Sequence, residues 1–231
     1  MNFLHIGAGA GDLDPKTNFR DGFSELVKSF KHKNENKIFV VEANPVNIKK
    51  LKKCWTNYKF VKIYNFAITE KEKLKKIKFF FSLDDGPHYQ LFSNNINHVK
   101  HYFPNSKIRN KIVKSININL FLTKYVKEKM IDYFSLDVEG MDYQIMMKLD
   151  LKKNKFKNIS FEYLHLKTGQ KRKIIKKLKH YGYSYGGFGI DHNNLDWLFI
   201  KKKSKWNNLI SNLLPIIHRK HYKRLNKFLI K

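Results

Sequence analysis

The chain has 231 residues, a single cysteine and a formal net charge of +28. This length accommodates one α/β domain with an appendage, and Cys54 alone excludes an internal disulfide framework and fits a reducing, cytoplasmic compartment. No run of about eighteen apolar residues is present, which excludes a membrane-spanning helix, and Met1 leads almost directly into an apolar run, so we expect no secretory signal.

The first part of the chain alternates between strand-like and helix-like patterns. Short apolar runs predict strands over 2–6, 38–41 and 60–64. Apolar residues at helical spacing predict helices over 19–30 and 45–55. The resulting β-α-β-α-β order is typical of the first half of a parallel sheet with helical crossovers.

The middle of the chain is less regular. Residues 77–81 alternate like an added strand, residues 112–118 are strand-like, and residues 120–126 are helix-like. Between the two strands, residues 82–110 form a predicted long connection that is rich in asparagine and aromatic residues. Because long connections inside compact domains often face the substrate, we interpret 82–118 as a substrate-facing insertion.

The regular alternation resumes after residue 130 and completes a domain predicted to span residues 1–202. The predicted elements are strands over 131–136 and 159–164, helices over 143–149 and 171–181, and a closing antiparallel pair over 183–188 and 197–200. From Lys201 onward the chain has ten Lys or Arg and no acidic residue, with apolar residues at helical spacing. Residues 203–231 are therefore predicted to form a basic amphipathic tail, which either packs on the domain or contacts a membrane surface or a partner.

The most specific local pattern is Gly7-Ala8-Gly9-Ala10-Gly11, directly after the first predicted strand, with Glu42 at the end of the second. Glycines let the backbone approach a ligand closely, and a carboxylate at the neighbouring strand end can accept both ribose hydroxyls. Dinucleotide sites favour G-x-G-x-x-G, so the G-x-G-x-G spacing disfavours an NAD-type oxidoreductase. It suits a nucleoside ligand without a pyrophosphate, such as S-adenosylmethionine.

Further motifs follow in a fixed order after the glycine loop. They are Val41-Glu42-Ala43-Asn44-Pro45, Asn65-Phe66-Ala67 and Asp137-Val138-Glu139-Gly140. Together with the loop they resemble the FkbM-type family of S-adenosylmethionine-dependent methyltransferases, over roughly residues 2–201. The resemblance implies a class I methyltransferase fold, an α/β, doubly wound, mainly parallel seven-stranded Rossmann-like sheet with a terminal antiparallel strand. It also implies O-methylation of a hydroxyl, commonly on a sugar, a glycan or another small metabolite.

The chain departs from the usual pattern of that family at four positions. His5 stands where the family usually has an acidic residue, Gly9 where it has asparagine, and Ser135 where it has lysine. Asn119 ends a segment that usually reads Thr-Leu-Asp. The cofactor loop is compatible with all four departures.

We interpret the residues at the predicted strand ends as one site, because the carboxyl ends of parallel strands converge on one edge of the sheet. The predicted cofactor-binding residues are Gly7, Gly9, Gly11, Glu42, Asn44, Phe66, Ala67 and Asp137. The predicted catalytic residues are Asp137, Glu139 and His165. His165 is the candidate general base, because imidazole titrates near neutral pH; the alternative is a polar strand-end residue without a catalytic part. Glu162 lies in an apolar strand and is either paired and functional or on a solvated face.

The acidic residues and the net charge also bear on a metal site and on other functions. We expect no metal site, because Asp84, Asp85 and His88, which could join Asp137, share no diagnostic spacing. The net charge motivates a nucleic-acid methyltransferase, above all one for RNA, although the lysines are spread along the chain and residues 137–140 lack the diproline typical of exocyclic-amine methyltransferases. A non-catalytic module that binds a membrane or partner through its tail is the remaining alternative.

Overall fold

The computed structural model describes residues 1–11, 21–30, 35–86, 91–190 and 195–201, which include ten strands and six α-helices. The strands are β1 (Asn2–Ile6), β2 (Lys37–Val41), β3 (Val61–Tyr64), β4 (Ala67–Thr69), β5 (Lys76–Ser82), β6 (Ile108–Asn117), β7 (Met130–Leu136), β8 (Lys155–Glu162), β9 (Tyr183–Phe188) and β10 (Asp196–Lys201). The helices are α1 (Gly22–Ser29), α2 (Ile48–Cys54), α3 (Ile96–Tyr102), α4 (Ile118–Phe121), α5 (Asp142–Lys148) and α6 (Thr168–His180).

Seven strands form the main sheet in the order β3-β2-β1-β7-β8-β10-β9. The strands from β3 to β8 in this order are mutually parallel. The last strand of the described chain, β10, lies between β8 and β9 and is antiparallel to both. This topology confirms the predicted doubly wound, mainly parallel sheet of the class I methyltransferase type.

Both faces of the sheet are covered, which is why its central strands are almost continuously apolar. On one face Phe3 of β1 packs in a cluster with Phe23 of α1 and Leu51 of α2. On the other face the next residue of β1, Leu4, packs in a cluster that includes Ile145 of α5. Alternate side chains of one strand therefore enter two cores, as the period of two in a strand requires.

A second sheet lies beside the main one and corrects the prediction for the middle of the chain. It has three strands in the order β4-β6-β5. Strands β5 and β6 are antiparallel: Lys76 pairs with Lys114 at one end and Ser82 with Ile108 at the other. The long connection predicted over 82–110 therefore ends earlier, because residues 108–111 already belong to β6. The first half of β6 is exposed and partly charged, so it does not form the apolar run by which a strand is predicted.

The helix predicted over 120–126 also begins and continues differently. Asn117 caps the helix, since its side-chain oxygen accepts the backbone N–H groups of Asn119 (2.9 Å) and Leu120 (3.3 Å), so α4 begins at Ile118. A π-helical turn continues it over Leu122–Val126. Lys127, with a left-handed φ of 59°, ends the segment.

Two other boundaries shift by a few residues. The strand predicted over 159–164 is β8, which begins at Lys155 and ends at Glu162, so Glu162 is the last residue of its strand. The helix predicted over 171–181 is α6, which begins at Thr168 because the side chain of Gln170 accepts the backbone N–H of Lys167 at 2.9 Å.

The predicted tail, residues 203–231, lies outside the described residues, so its contact with a membrane or partner stays a prediction. The first part of the helix predicted over 19–30 also lies outside them, and α1 begins at Gly22. Among the helices that are described, none combines the length and apolarity needed to cross a membrane.

Candidate functional site

A cavity of about 310 Å³ lies at the carboxyl ends of β1, β2 and β7. The parallel order of these strands produces it, because their ends lie side by side at one edge of the sheet. Its wall brings together most of the predicted site residues, namely Gly7, Gly9, Gly11, Glu42, Phe66, Ala67, Asp137 and Glu139. Two predicted site residues, Asn44 and His165, are not among the residues that line the cavity.

Gly7 lies where the end of β1 meets the end of β7. Its φ is +86°, and a Cβ at this position would overlap with the backbone carbonyl oxygen of Asp137. The Gly7 N–H donates to the carbonyl of Val41 at 2.9 Å, and the Asp137 N–H donates to the carbonyl of Ile6 at 2.9 Å. Only glycine therefore allows the three strand ends to approach this closely.

At Gly9 the backbone conformation favours glycine, but no neighbouring atom requires it. Its φ is +54°, and no atom lies within 4 Å of the place where a Cβ would stand. The position is thus open toward the cavity that Gly9 lines. The resemblance implies asparagine at this position, and asparagine adopts left-handed backbone most readily after glycine, so either residue is compatible with the loop conformation.

Glu42 follows the last residue of β2 and links it to the glycine loop. Its Oε2 accepts the Gly9 N–H at 2.7 Å, and its Oε1 accepts the Asn44 N–H at 2.6 Å. Burial raises the pKa of Glu42 to about 7; the two N–H groups oppose this shift, and the charge of Asp137 adds to it. Each carboxylate oxygen keeps a second lone pair, so Glu42 can also accept hydrogen bonds from ligand hydroxyls.

Two asparagines stabilise the backbone around Glu42. The Asn44 side-chain oxygen accepts the backbone N–H of Val46 at 3.2 Å, which turns this side chain toward its own loop. The Asn65 side-chain amide donates to the carbonyls of Glu42 (2.8 Å) and Ala43 (3.0 Å). Asn44 and Asn65 therefore hold the strand end in place.

One end of the cavity is apolar. Phe66 and Ala67 line it as predicted, and the Phe66 ring packs 5.4 Å from the ring of Tyr125. Phe79 of β5 and Phe92 complete this wall, and their rings stack at 4.7 Å. Sequence reasoning missed the last two, because the second sheet that brings Phe79 to the cavity was not predicted.

The predicted Asp-Val-Glu-Gly element forms a tight turn after β7. Glu139 has a left-handed φ of 51°, and its carbonyl oxygen accepts a hydrogen bond from the Ser93 hydroxyl at 2.9 Å. Asp142, at the start of α5, fixes the turn by accepting the N–H groups of Val138 (3.2 Å) and Gly140 (3.3 Å). Burial and the nearby charge of Asp137 raise the pKa of Asp142 to about 8. Sequence reasoning missed Asp142, although a carboxylate just past the glycine of a predicted turn is a usable signal.

The wall of the cavity is strongly acidic. Among the described residues it contains six carboxylates and no Lys or Arg, although the chain has 47 of these cations. The six acidic side chains are Asp21, Glu42, Asp137, Glu139, Glu162 and Asp196. Such a wall attracts a positively charged ligand and offers no cation for a pyrophosphate.

An imidazole stands beside this acidic wall. His165 follows β8, and its Nε2 lies 3.4 Å from Glu162 Oε1 and 4.0 Å from Glu139 Oε2. The His98 ring of α3 lies 4.5 Å from the His165 ring, between centroids. Burial, helped by His98, lowers the pKa of His165, which favours the neutral imidazole. The structure thus brings two predicted catalytic residues together and adds His98, which sequence reasoning missed.

Two departures from the family pattern are neighbours in space. His5 and Ser135 are directly opposite each other on β1 and β7, and both line the cavity. Burial lowers the pKa of His5, against the opposing effect of Asp21, and so favours its neutral form. The resemblance implies an acidic residue at position 5 and a lysine at position 135, which carry opposite charges. The chain has a neutral histidine and a serine there, so the net charge of the pair stays at zero.

Two further sequence features lie outside the wall. Asn119 joins α4 to the segment after α5, since its side-chain oxygen accepts the N–H of Asp150 at 2.8 Å. In the group considered as metal ligands, the Asp85 carboxylate accepts the N–H of Leu91 at 2.7 Å, and His88 lies outside the described residues.

Three solved structures with a similar fold share 10–12% sequence identity with this chain. The fibrillarin pre-rRNA processing protein of Methanococcus jannaschii is 10% identical, with a TM-score of 0.43 over 88% of this chain and 67% of that chain. Precorrin-6y C5,15-methyltransferase of Geobacter metallireducens is 12% identical, with a TM-score of 0.40 over 86% of this chain and 78% of that chain. The N-terminal domain of human METTL16 is 12% identical, with a TM-score of 0.44 over 88% and 61%. No match was found among curated proteins.

A family model described as a methyltransferase FkbM domain matches residues 5–185, most of the chain. The residues present fit the cofactor of this family, because a cationic sulfonium nucleoside suits an acidic wall with an apolar end and a carboxylate at Glu42. The chain therefore belongs to the FkbM methyltransferase family and is an S-adenosyl-L-methionine-dependent methyltransferase.

Proposed function

We propose that this protein transfers the methyl group of S-adenosylmethionine to a hydroxyl oxygen of a sugar, a glycan or another small metabolite. One observation carries the proposal: His165, Glu139 and Glu162 lie together beside a cavity whose described wall has no Lys or Arg. Such a set of side chains can take a proton from a hydroxyl. It offers no cation to hold a phosphorylated acceptor inside the cavity.

The cofactor half of the cavity is assigned from its shape and charge. Bound S-adenosylmethionine supplies an electrophilic methyl group on a positively charged sulfur. The open backbone at Gly9 approaches the methionine part, and Asp137 lies near its ammonium group. Glu42 accepts the ribose hydroxyls through its remaining lone pairs. Phe66 and Ala67 provide an apolar surface for the adenine ring.

The acceptor half of the cavity supplies the groups that remove the proton of the substrate hydroxyl. His165 is favoured in its neutral form and can accept the proton of a hydroxyl at Nε2. Glu162, at 3.4 Å from that atom, can accept the N–H of the imidazolium that results. Burial raises the pKa of Glu162 to about 11, and the positive charge of the imidazolium opposes this shift. Asp137 and Glu139 accept hydrogen bonds from the acceptor and hold its oxygen in line with the methyl group, since positioning supplies much of the rate in such a displacement.

The cofactor assignment is tested by calorimetric titration with S-adenosylhomocysteine. We expect micromolar binding and at least a tenfold loss in Glu42→Ala, which removes both acceptor oxygens. Glu42→Gln keeps one acceptor oxygen and places an NH2 group where the other accepts, so its affinity should fall less. Glu72→Ala is the matched control, because Glu72 is an exposed carboxylate paired with Lys148. Unchanged affinity in both Glu42 variants would remove Glu42 from the ribose role.

The acceptor assignment is tested by transfer of a labelled methyl group to a panel of neutral glycosides. His165→Gln should abolish turnover and leave the affinity for S-adenosylhomocysteine unchanged, whereas His101→Gln, an exposed histidine of α3, should retain turnover. Mass spectrometry and NMR identify the methylated atom. Methylation of nitrogen or carbon in place of oxygen would contradict the proposal.

The net charge of +28 favours a second candidate, an RNA methyltransferase. Methylation of RNA by such an enzyme would fall steeply as salt is raised, because phosphate contacts release counterions. If the protein methylates RNA and none of the neutral glycosides, the RNA methyltransferase replaces the proposed methylation of a sugar, glycan or metabolite hydroxyl.

A further inference from the structure

We propose that His98, His165 and Glu139 bind one divalent transition-metal ion at the acceptor side of the cavity. One ligand atom from each of the three side chains lies within 4.8 Å of the other two. They come from α3, from the loop after β8 and from the turn after β7, so the fold itself assembles the set. Donor atoms around a tetrahedral zinc ion are about 3.3 Å apart, so small side-chain rotations would close the site.

The hydrogen bonds of Ser93 prepare His98 as a ligand. The Ser93 hydroxyl donates its hydrogen to the carbonyl of Glu139 at 2.9 Å, so it can only accept from His98 Nδ1, which lies 3.3 Å away. The proton of neutral His98 is therefore on Nδ1, and the lone pair is on Nε2. That Nε2 is buried and has no hydrogen-bond partner among the described residues. Metal-ligating histidines are typically fixed in this way through their other ring nitrogen.

The carboxyl groups of the cluster also favour binding of a cation. Glu139 and Glu162 are partly and almost fully buried carboxylates, and in the described part of the chain His165 is the sole basic side chain within 4.0 Å of either. Burial and the neighbouring acids raise the pKa of Glu139 well above its usual range and that of Glu162 to about 11, so neither carboxyl ionises readily without a cation beside it. A divalent ion would supply that positive charge and needs neutral imidazoles as ligands. Mixed imidazole and carboxylate ligands favour Zn²⁺, Co²⁺, Fe²⁺ or Mn²⁺ over Mg²⁺ and Ca²⁺, which prefer oxygen ligands alone.

The role of the ion rests on the proposed hydroxyl methylation, whereas its binding does not. A divalent ion beside the acceptor withdraws electron density from the hydroxyl and makes its proton easier to remove. With the ion bound, His165 is a ligand and no longer the base, and the Glu162 carboxylate takes the hydroxyl proton in its place; without the ion, His165 keeps the role of base. The oxygen then forms its bond to the methyl carbon while the carbon–sulfur bond breaks, and the electron pair of that bond goes to sulfur.

The experiment uses the full chain, produced without a histidine tag and stripped with a chelator. Co²⁺ is added, and its visible absorption and equilibrium dialysis are measured. We expect one ion per chain, with at least tenfold weaker binding in His98→Ala, His165→Ala and Glu139→Gln. His101→Ala is the matched control, because this exposed histidine lies on the same helix and should bind Co²⁺ like the natural chain. An unchanged far-UV circular dichroism spectrum and thermal unfolding midpoint confirm that each variant is folded.

Two results would overturn the metal site: a natural chain that binds Co²⁺ no better than the triple variant lacking all three ligands, or a His98→Ala variant that binds like the natural chain. The proposed function fails separately. Tight Co²⁺ binding without methylation of any hydroxyl contradicts the function and leaves the site intact. Hydroxyl methylation by a chain that binds no Co²⁺ contradicts the site and leaves the function intact.

Discussion

Replacing Gly7 by alanine should separate the ends of β1 and β7. Alanine would adopt the left-handed backbone at a cost of about 1–2 kcal/mol, and its Cβ would overlap with the carbonyl oxygen of Asp137. Relieving that overlap breaks the hydrogen bonds from Gly7 to Val41 and from Asp137 to Ile6, each worth about 1 kcal/mol. We expect a loss of about 3–4 kcal/mol in the free energy of unfolding, measured by urea denaturation with tryptophan fluorescence.

Gly9→Ala is the matched control for this prediction. Its backbone is also left-handed, but an added Cβ meets no atom within 4 Å, so we expect a loss of only about 1–2 kcal/mol. The Gly7 variant should also lose affinity for S-adenosylhomocysteine, because Asp137 moves with the end of β7. Equal stability of the two variants would refute the close approach of β1 and β7 as the reason for glycine at position 7.

Two further predictions concern buried charges. Burial raises the pKa of Glu42 from 4.5 to about 7, so its neutral carboxyl contributes stability that is complete below pH 4.5 and is lost as the pH rises to 7, by up to about 3 kcal/mol. Unfolding free energies of the natural chain and Glu42→Gln should diverge across this window, and a constant difference would contradict the shift. The Lys177 ammonium donates to three carbonyls at the end of α5, at 2.7–2.8 Å. Lys177→Met should cost about 2 kcal/mol in thermal or urea unfolding, whereas the exposed Lys176→Met should cost almost nothing; equal effects would contradict this role.

The main sheet was predictable because its signals are local. A buried parallel strand is a short apolar run, as in residues 131–136, and a helix that covers it shows apolar residues at helical spacing. The glycine loop and Glu42 were predictable for the same reason, since each stands directly at a strand end. Parallel order then brings those ends to one edge without any further information.

The acceptor side was harder to predict, because it depends on contacts between distant parts of the chain. His98 lies in a region without a clear pattern, and only the packing of α3 brings it to His165. The first residues of β6, among them Arg109 and Lys111, are charged and exposed, so they resemble a loop until their pairing with β5 is known. Antiparallel pairing across a long connection leaves no local periodicity to detect.

The left-handed backbone at Glu139 has a consequence for the balance between rigidity and activity. Glycine would adopt a φ of 51° without penalty, whereas a residue with a side chain costs about 1–2 kcal/mol there. The chain nevertheless places a carboxylate at this point of the turn, which folding alone does not favour. If the proposed role of Glu139 at the acceptor is right, we expect Glu139→Gly to raise the free energy of unfolding and to lower the rate of methyl transfer.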